Sequence, residues 1–111
     1  MTLTFEEFLK VDIRVGTVQK SELYTQAHQP AFKLWIYFGP KIGLKKTSAQ
    51  ITKHYTLEQM VGRQVTAVVN LPPKQIGKFM SEVLVLGFPD LQKEVVLLQP
   101  SITVPDGGRM F

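Results

Sequence analysis

Apolar and polar residues alternate along several short stretches of the chain, a pattern typical of β-strands with one buried face. In the clearest example, residues 32–38, every second residue is apolar and the residues between them are Lys33, Trp35 and Tyr37. Further strands are predicted at the alternating or continuously apolar segments 11–18, 44–51, 64–70 and 81–88, with a last hairpin arm at 94–99. Because Gly16 stands where the alternation changes phase, we expect a β-bulge there.

Two short segments carry helix-start signals instead. Thr4 with Glu7, and Thr56 with Gln59, have the spacing of a capping box, and Gly62 fits a left-handed helix stop. Five strands with a short helix between the third and fourth is the order of an OB-fold. We therefore predict an all-β chain, a five-stranded OB-fold barrel with short flanking helices, forming a single domain over residues 1–111.

The terminal segments have more apolar surface than one small barrel covers. Phe5, Phe8 and Leu9 share one face of the first helix, which is too short to be stable without docking that face. It packs either over an end of its own barrel or against a second subunit. The last hairpin arm is apolar on both sides, including Val95 and Leu97, although each barrel strand buries one face. We expect these five residues, in N- and C-terminal extensions, to form the interface of a homodimer.

Composition argues against catalysis and metal binding. The 111 residues include no Cys, and the two histidines, His28 and His54, lie far apart without metal-ligand spacing. No Ser-His-acid set, P-loop or dinucleotide-binding motif is present, so we expect a non-enzyme without cofactor or metal. The N-terminus is acidic and lacks the apolar region of a signal peptide. Since no apolar stretch reaches transmembrane length, we expect a cytoplasmic protein without membrane insertion.

Positive charge is concentrated in the middle of the chain. Residues 33–78 contain eight Lys or Arg side chains and one acid, Glu58, whereas the rest contains five basic and eight acidic side chains. This distribution indicates either one basic face with a polyanionic partner or a solvated lysine surface.

The run from Val69 to Gly87 is the most specific motif. Asn-Leu-Pro-Pro-Lys-Gln-Ile is followed, after Gly-Lys, by Phe-Met-Ser-Glu-Val-Leu-Val-Leu-Gly. Pro72 and Pro73 end the fourth strand, and a basic loop follows. This run resembles the signature of the tRNA-binding domain family, an OB-fold module found alone or fused to aminoacyl-tRNA synthetases. The resemblance implies a non-catalytic tRNA-binding protein. It is strongest to a branch of small homodimers, associated with protein export, that hold extended preprotein segments.

Family roles map onto the signature residues. The resemblance places Asn70, Lys74, Lys78 and Ser81 beside an RNA groove, with the lysines on phosphates. Asn70 either reads a base edge or, as its chemistry favours, holds the loop. OB-folds bind on the face of the second and third strands. On that face we expect six residues: Lys33, Trp35, Tyr37, Lys46, Ser48 and Gln50.

A peptide ligand is the competing expectation. Val83 replaces the family's usual Gly after Ser81-Glu82, which weakens the tRNA interpretation and fits the export-associated branch. Phe79 and Met80, with Trp35, would form an apolar pocket for a preprotein segment, or else pack as ordinary core. Burial of Trp35 under a loop or at the dimer interface is the alternative to an open groove. The expected partners are thus tRNA, an unfolded preprotein or the export machinery, and a second subunit.

Overall fold

Strands are the main regular secondary structure in this computed structural model, which describes all 111 residues. In chain order the elements are α1 (Phe5–Leu9), β1 (Ile13–Tyr24), β2 (Ala31–Tyr37), α2 (Gly39–Ile42), β3 (Leu44–Ala49), α3 (Leu57–Met60), β4 (Gln64–Val68), β5 (Lys74–Ile76), β6 (Phe79–Ser81), β7 (Leu84–Val85), β8 (Gly87–Pro89) and β9 (Val95–Leu97). None of the helices has the length and apolar character that crossing a membrane requires.

The strands form a nearly closed antiparallel barrel. Five of them hydrogen-bond in the order β3-β2-β1-β4-β7. β1 is long enough to serve both sides: residues 13–17 pair with β4 and residues 17–24 pair with β2. The barrel closes where the N–H of Glu82 donates to the carbonyl of Lys46 (2.8 Å), next to β3. The predicted five-stranded OB-fold is confirmed.

The inner faces of the strands supply the core. Along β2, Phe32, Leu34 and Ile36 are buried and alternate with half-buried polar or aromatic residues, as the sequence predicts. Both predicted capping boxes are present, at Thr4 and Thr56, because each hydroxyl accepts the backbone N–H three residues on. Helices α1 and α3 therefore begin at the residues that the sequence predicts.

The bulge in β1 lies three residues later than predicted. Gly16 stays in register with Val65, and the register shift falls between Val18 and Lys20. Gly16 is required for another reason. A Cβ there would lie 2.7 Å from side-chain atoms of both Ile36 and Phe38, so the strand crosses β2 too closely for any side chain.

The predicted fifth strand, 81–88, is divided. Its residues contribute the end of β6, then β7, then β8, which pairs with β9 in a separate hairpin. The basic segment predicted as a loop is also a hairpin, β5–β6, with Lys74 opposite Ser81. Pro72 and Pro73 keep this hairpin apart from β4, which ends at Val68, because neither proline donates a backbone hydrogen bond.

The terminal segments lie against the start of β1. Residues 107–110 run beside it, and the N–H of Met110 donates to the carbonyl of Ile13 (2.8 Å). Helix α1 buries none of its residues: Phe5 is 71% and Leu9 47% exposed. The apolar face of α1 therefore does not pack over the barrel of its own chain. Leu97 is only 6% exposed and belongs to the core, so this part of the expected interface is not at the surface.

Candidate nucleic-acid interface

The outer face of β1, β2 and β3 presents lysines and aromatic rings in aligned rows. The register places Lys20, Trp35 and Lys46 side by side across the three strands. In the next row it places Glu22, Lys33 and Ser48. Because side chains two residues apart on a strand point the same way, both rows face outward together.

Hairpin β5–β6 folds onto this face. The hydroxyl of Tyr24 donates to the carbonyl of Ile76. Gly77, at the hairpin turn, has a φ of +62° and passes so close to Tyr24 that an added Cβ would lie 2.6 Å from the hydroxyl oxygen. The hairpin's Phe79 ring then packs against Tyr24 and Trp35, with ring centroids 5.7 Å and 6.0 Å away.

Each ammonium group of the face lies near an aromatic ring. Lys20 Nζ is 4.7 Å from the Trp35 ring centroid, and Lys33 Nζ and Lys46 Nζ are 5.4 Å and 5.2 Å from that of Phe79. These distances are within the range of cation–π attraction. We call Lys20, Lys33, Trp35, Lys46 and Phe79 the lysine–aromatic platform. Trp35 is half-buried by its neighbours in the platform. This lies between the two expectations, exposure in an open groove and burial under a loop or at a dimer interface.

One acid contacts the platform. Glu22 accepts from Lys20 Nζ at 3.1 Å and lies 3.7 Å from Lys33 Nζ. The hydrogen bond from Lys20 and the charges of both lysines hold the pKa of the Glu22 carboxyl below its ordinary value. The other acid of this region, Glu82, is used differently: its Oε1 accepts the backbone N–H of Lys46 (3.0 Å) and helps to close the barrel.

Ser81 also has a structural contact. Its Oγ lies 2.7 Å from Thr47 Oγ1 and accepts the N–H of Ser48 (3.3 Å), while Thr47 Oγ1 donates to the carbonyl of Val83 (2.7 Å). This chain of bonds ties the base of the hairpin to β3, so the Ser81 hydroxyl is engaged within the protein.

A groove adjoins the platform beneath the hairpin. Its cavity measures about 450 Å³, and Ser48, Gln50, Lys74 and Ser81 line it together with an apolar floor that includes Val83. Four of the residues predicted to contact nucleic acid are thus brought together here. His28 lines the other side.

Other predicted residues do not line this groove. Asn70 accepts the N–H of Asp12 (3.0 Å) and donates to the carbonyl of Lys10 (2.7 Å), so its amide holds the segment between α1 and β1. It does hold a backbone segment, but the N-terminal one and not the basic hairpin. Lys78 and Met80 are exposed on the hairpin.

Sequence reasoning missed Lys20, Glu22 and Tyr24, because it ended the first strand near the phase change. Residues 19–24, Gln-Lys-Ser-Glu-Leu-Tyr, have no apolar–polar alternation, so no periodic signal marks the second half of β1. No group of three or more His, Cys, Asp or Glu side chains is arranged to hold a metal ion.

An OB-fold barrel with a basic, aromatic outer face is typical of the proteins that bind nucleic acids or oligosaccharides. A family model described as "Putative tRNA binding domain" matches residues 13–109, and the chain belongs to that family.

Solved structures resemble the chain over its whole length. The chaperone CsaA from Bacillus anthracis str. Ames is 47% identical, with a TM-score of 0.92 and complete coverage of both chains. The CsaA chaperone protein from Picrophilus torridus is 44% identical, with a TM-score of 0.93, and the match covers 99% of this chain and 100% of that chain.

A longer protein also contains a similar sequence. The methionine–tRNA ligase of Porphyromonas gingivalis is 33% identical over 108 residues, 97% of this chain, and the chain spans 15% of the length of that ligase.

Proposed function

We propose that this protein is a non-catalytic binding module whose lysine–aromatic platform and adjoining groove bind tRNA. The observation that carries the proposal is the row Lys20–Trp35–Lys46, in which the register places a lysine on either side of Trp35. Rings stack on bases and lysines neutralise phosphates, a combination suited to nucleic acid without strict sequence preference. Lys74 and Lys78 of the hairpin extend the positive surface along the groove. Membership of the tRNA-binding domain family supports the same ligand.

An extended preprotein segment is the second ligand that we propose. The floor of the groove is apolar, and Met80 and Phe79 stand on the hairpin beside it. Two solved structures that match the chain over its whole length are of CsaA chaperones. In this proposal the protein works in the cytoplasm, as a homodimer that holds an unfolded preprotein before export. A dedicated tRNA-binding protein with no role in export is the alternative.

The test is a titration of fluorescently labelled bulk tRNA into the purified protein at low and physiological salt. Saturable binding is expected, with the logarithm of affinity falling by about 0.7–0.9 per tenfold salt for each phosphate neutralised. Absence of binding at low salt would refute the tRNA proposal and leave the peptide ligand to be tested with unfolded preprotein segments.

Matched lysine variants locate the site. Lys33→Ala with Lys46→Ala removes two platform charges and should weaken tRNA binding at least severalfold and flatten the salt dependence. Lys10→Ala with Lys41→Ala removes two exposed charges outside the platform and the groove lining and should change binding little. Equal losses in both double variants would assign binding to overall charge and not to the platform. Trp35→Ala should weaken both ligands, since a stacked base contributes about 1–3 kcal/mol.

A further inference from the structure

Glu22 is out of place on a surface that otherwise favours anions. It is the acid that forms ion pairs with the platform, and it stands in the row beside Lys20 and opposite Lys33 in the register. One carboxylate oxygen, Oε2, contacts Lys20 Nζ at 3.1 Å, and the other, Oε1, lies 3.7 Å from Lys33 Nζ. The carboxylate bridges two ammonium groups in the way that two oxygens of a phosphate would.

This bridge is accessible to solvent. The side chains of Lys20 and Glu22 are 59% and 43% exposed, and that of Lys33 is 26% exposed. Exposed ion pairs are weak, and they exchange readily for another anion of suitable geometry. An incoming phosphate therefore meets lysines that are already paired and a negative charge between them.

We propose that Glu22 is a specificity-determining residue of the platform, holding the anion position between Lys20 and Lys33 that an RNA phosphate must take over. This inference rests on the proposed function and adds to it. Glu22 lowers affinity for polyanions in general, and only a ligand with enough additional contacts displaces it. A cationic segment meets no such competition, because Glu22 attracts it.

The test compares Glu22→Gln with Glu6→Gln, which removes the same charge from exposed α1, outside the platform. Each variant and the unmodified protein are titrated with bulk tRNA across a salt series. We expect Glu22→Gln to bind tRNA about two- to tenfold more tightly at low salt, since two exposed ion pairs no longer have to be broken. Its salt dependence should be steeper by about one additional phosphate, 0.7–0.9 in the logarithmic slope.

For a cationic peptide, Glu22→Gln should change the binding affinity in the opposite direction. A labelled oligolysine should bind Glu22→Gln more weakly than it binds the unmodified protein, because the carboxylate that attracts it is gone. Tighter binding of both tRNA and oligolysine would show that the substitution merely opens the surface, and would overturn the proposal.

Two further outcomes separate this inference from the proposed function. If the unmodified protein binds tRNA but Glu22→Gln behaves like Glu6→Gln, the inference fails and the function stands. If neither protein binds tRNA, both fail. As a last control, adding Glu22→Gln to a Lys20→Ala, Lys33→Ala background should reduce its effect to that of Glu6→Gln, because the paired lysines are gone.

Discussion

Thr47 shows how one buried hydroxyl connects the barrel to hairpin β5–β6. The residue is 1% exposed, and its Oγ1 donates to the Val83 carbonyl while lying 2.7 Å from Ser81 Oγ. The alternation along β3 predicts that residue 47 points inward, but it gives no reason for a polar residue in the core. The reason is tertiary, because residues 81–83 are distant in sequence and adjacent only in the folded barrel.

Replacing Thr47 by Val keeps the shape and removes these hydrogen bonds. We expect the free energy of unfolding to fall by about 1–3 kcal/mol, since a buried carbonyl and a hydroxyl lose their partner. Thr66→Val is the matched control, because Thr66 is also buried yet its hydroxyl makes no hydrogen bond within the chain. Urea unfolding of both variants measures the difference. Equal stability in the two variants would contradict this role for Thr47.

Hairpin β5–β6 is the element that sequence analysis described least well. Its lysines and Phe79 were identified, but as a loop, because neither three-residue strand has a detectable period. The contact between Tyr24 and Ile76 was equally hidden, since it joins residues 52 positions apart. The strand faces of Lys33, Trp35, Lys46 and Ser48 were predicted correctly, because each lies in a clear alternation. The sequence therefore predicts the platform residues on β2 and β3. It does not predict Lys20 on the second half of β1, nor the hairpin that places Phe79 against the platform.

Gly77→Ala tests how the hairpin is held. Residue 77 has a φ of +62°, and the added Cβ would lie 2.6 Å from the Tyr24 hydroxyl oxygen. Gly62→Ala is the control: its φ is +87°, and its added Cβ has nothing within 4 Å. Left-handed strain alone costs about 1 kcal/mol. We expect Gly77→Ala to lose more stability than Gly62→Ala, and to lose tRNA affinity that the control retains. Equal tRNA affinity in the two variants would show that the hairpin position does not matter for binding.

Hairpin β8–β9 depends on an ionised carboxylate. Asp90 Oδ1 accepts the N–H groups of Gln92 and Glu94, and Oδ2 lies 2.6 Å from His54 Nε2. Hydrogen bonds hold the pKa of Asp90 below its ordinary value: the largest contribution comes from the Glu94 N–H, and smaller ones come from the His54 side chain and the Gln92 N–H. A carboxyl with a lowered folded-state pKa contributes stability above its unfolded-state pKa, and this is lost as pH falls through the folded-state value.

Acidification should therefore loosen this hairpin only below the ordinary Asp pKa of about 3.9. We expect Asp90→Asn to have a lower thermal midpoint than the unmodified protein at pH 7, with a smaller difference at pH 3. Thermal melts at the two pH values make the comparison. A difference that stayed constant with pH would show that the charge of Asp90 is not what stabilises the turn.

For the molecule as a whole, the terminal segments explain why a second subunit is expected. Helix α1 leaves Phe5 and Leu9 exposed and buries none of its residues, although a five-residue helix is not stable by itself. The sequence predicted the apolar face correctly, and the single chain offers nothing that covers it. In the last hairpin, Val96 is exposed and Leu97 is buried, so the apolar character of this arm is shared between surface and core.

A double substitution tests this surface. In the proposed homodimer, Phe5→Ser with Leu9→Ser should halve the mass measured by sedimentation while the barrel stays folded, because neither side chain is part of the core. Leu91→Ser is the control: Leu91 is 97% exposed at the β8–β9 turn and should leave the mass unchanged. A dimer that persists in the double variant would remove α1 from the interface.

The pairing of residues 107–110 with the first half of β1 has a consequence for synthesis. On that side the Val15 N–H donates to the Gly108 carbonyl, and the carbonyls of Val15 and Ile13 accept the N–H groups of Gly107 and Met110. The strand that is translated first therefore keeps one edge open until residue 110 has left the ribosome, and an open strand edge is a template for pairing with other chains. This edge is therefore paired only after the whole barrel has been translated. A protein that we propose binds unfolded chains thus itself leaves the ribosome with an unpaired strand edge.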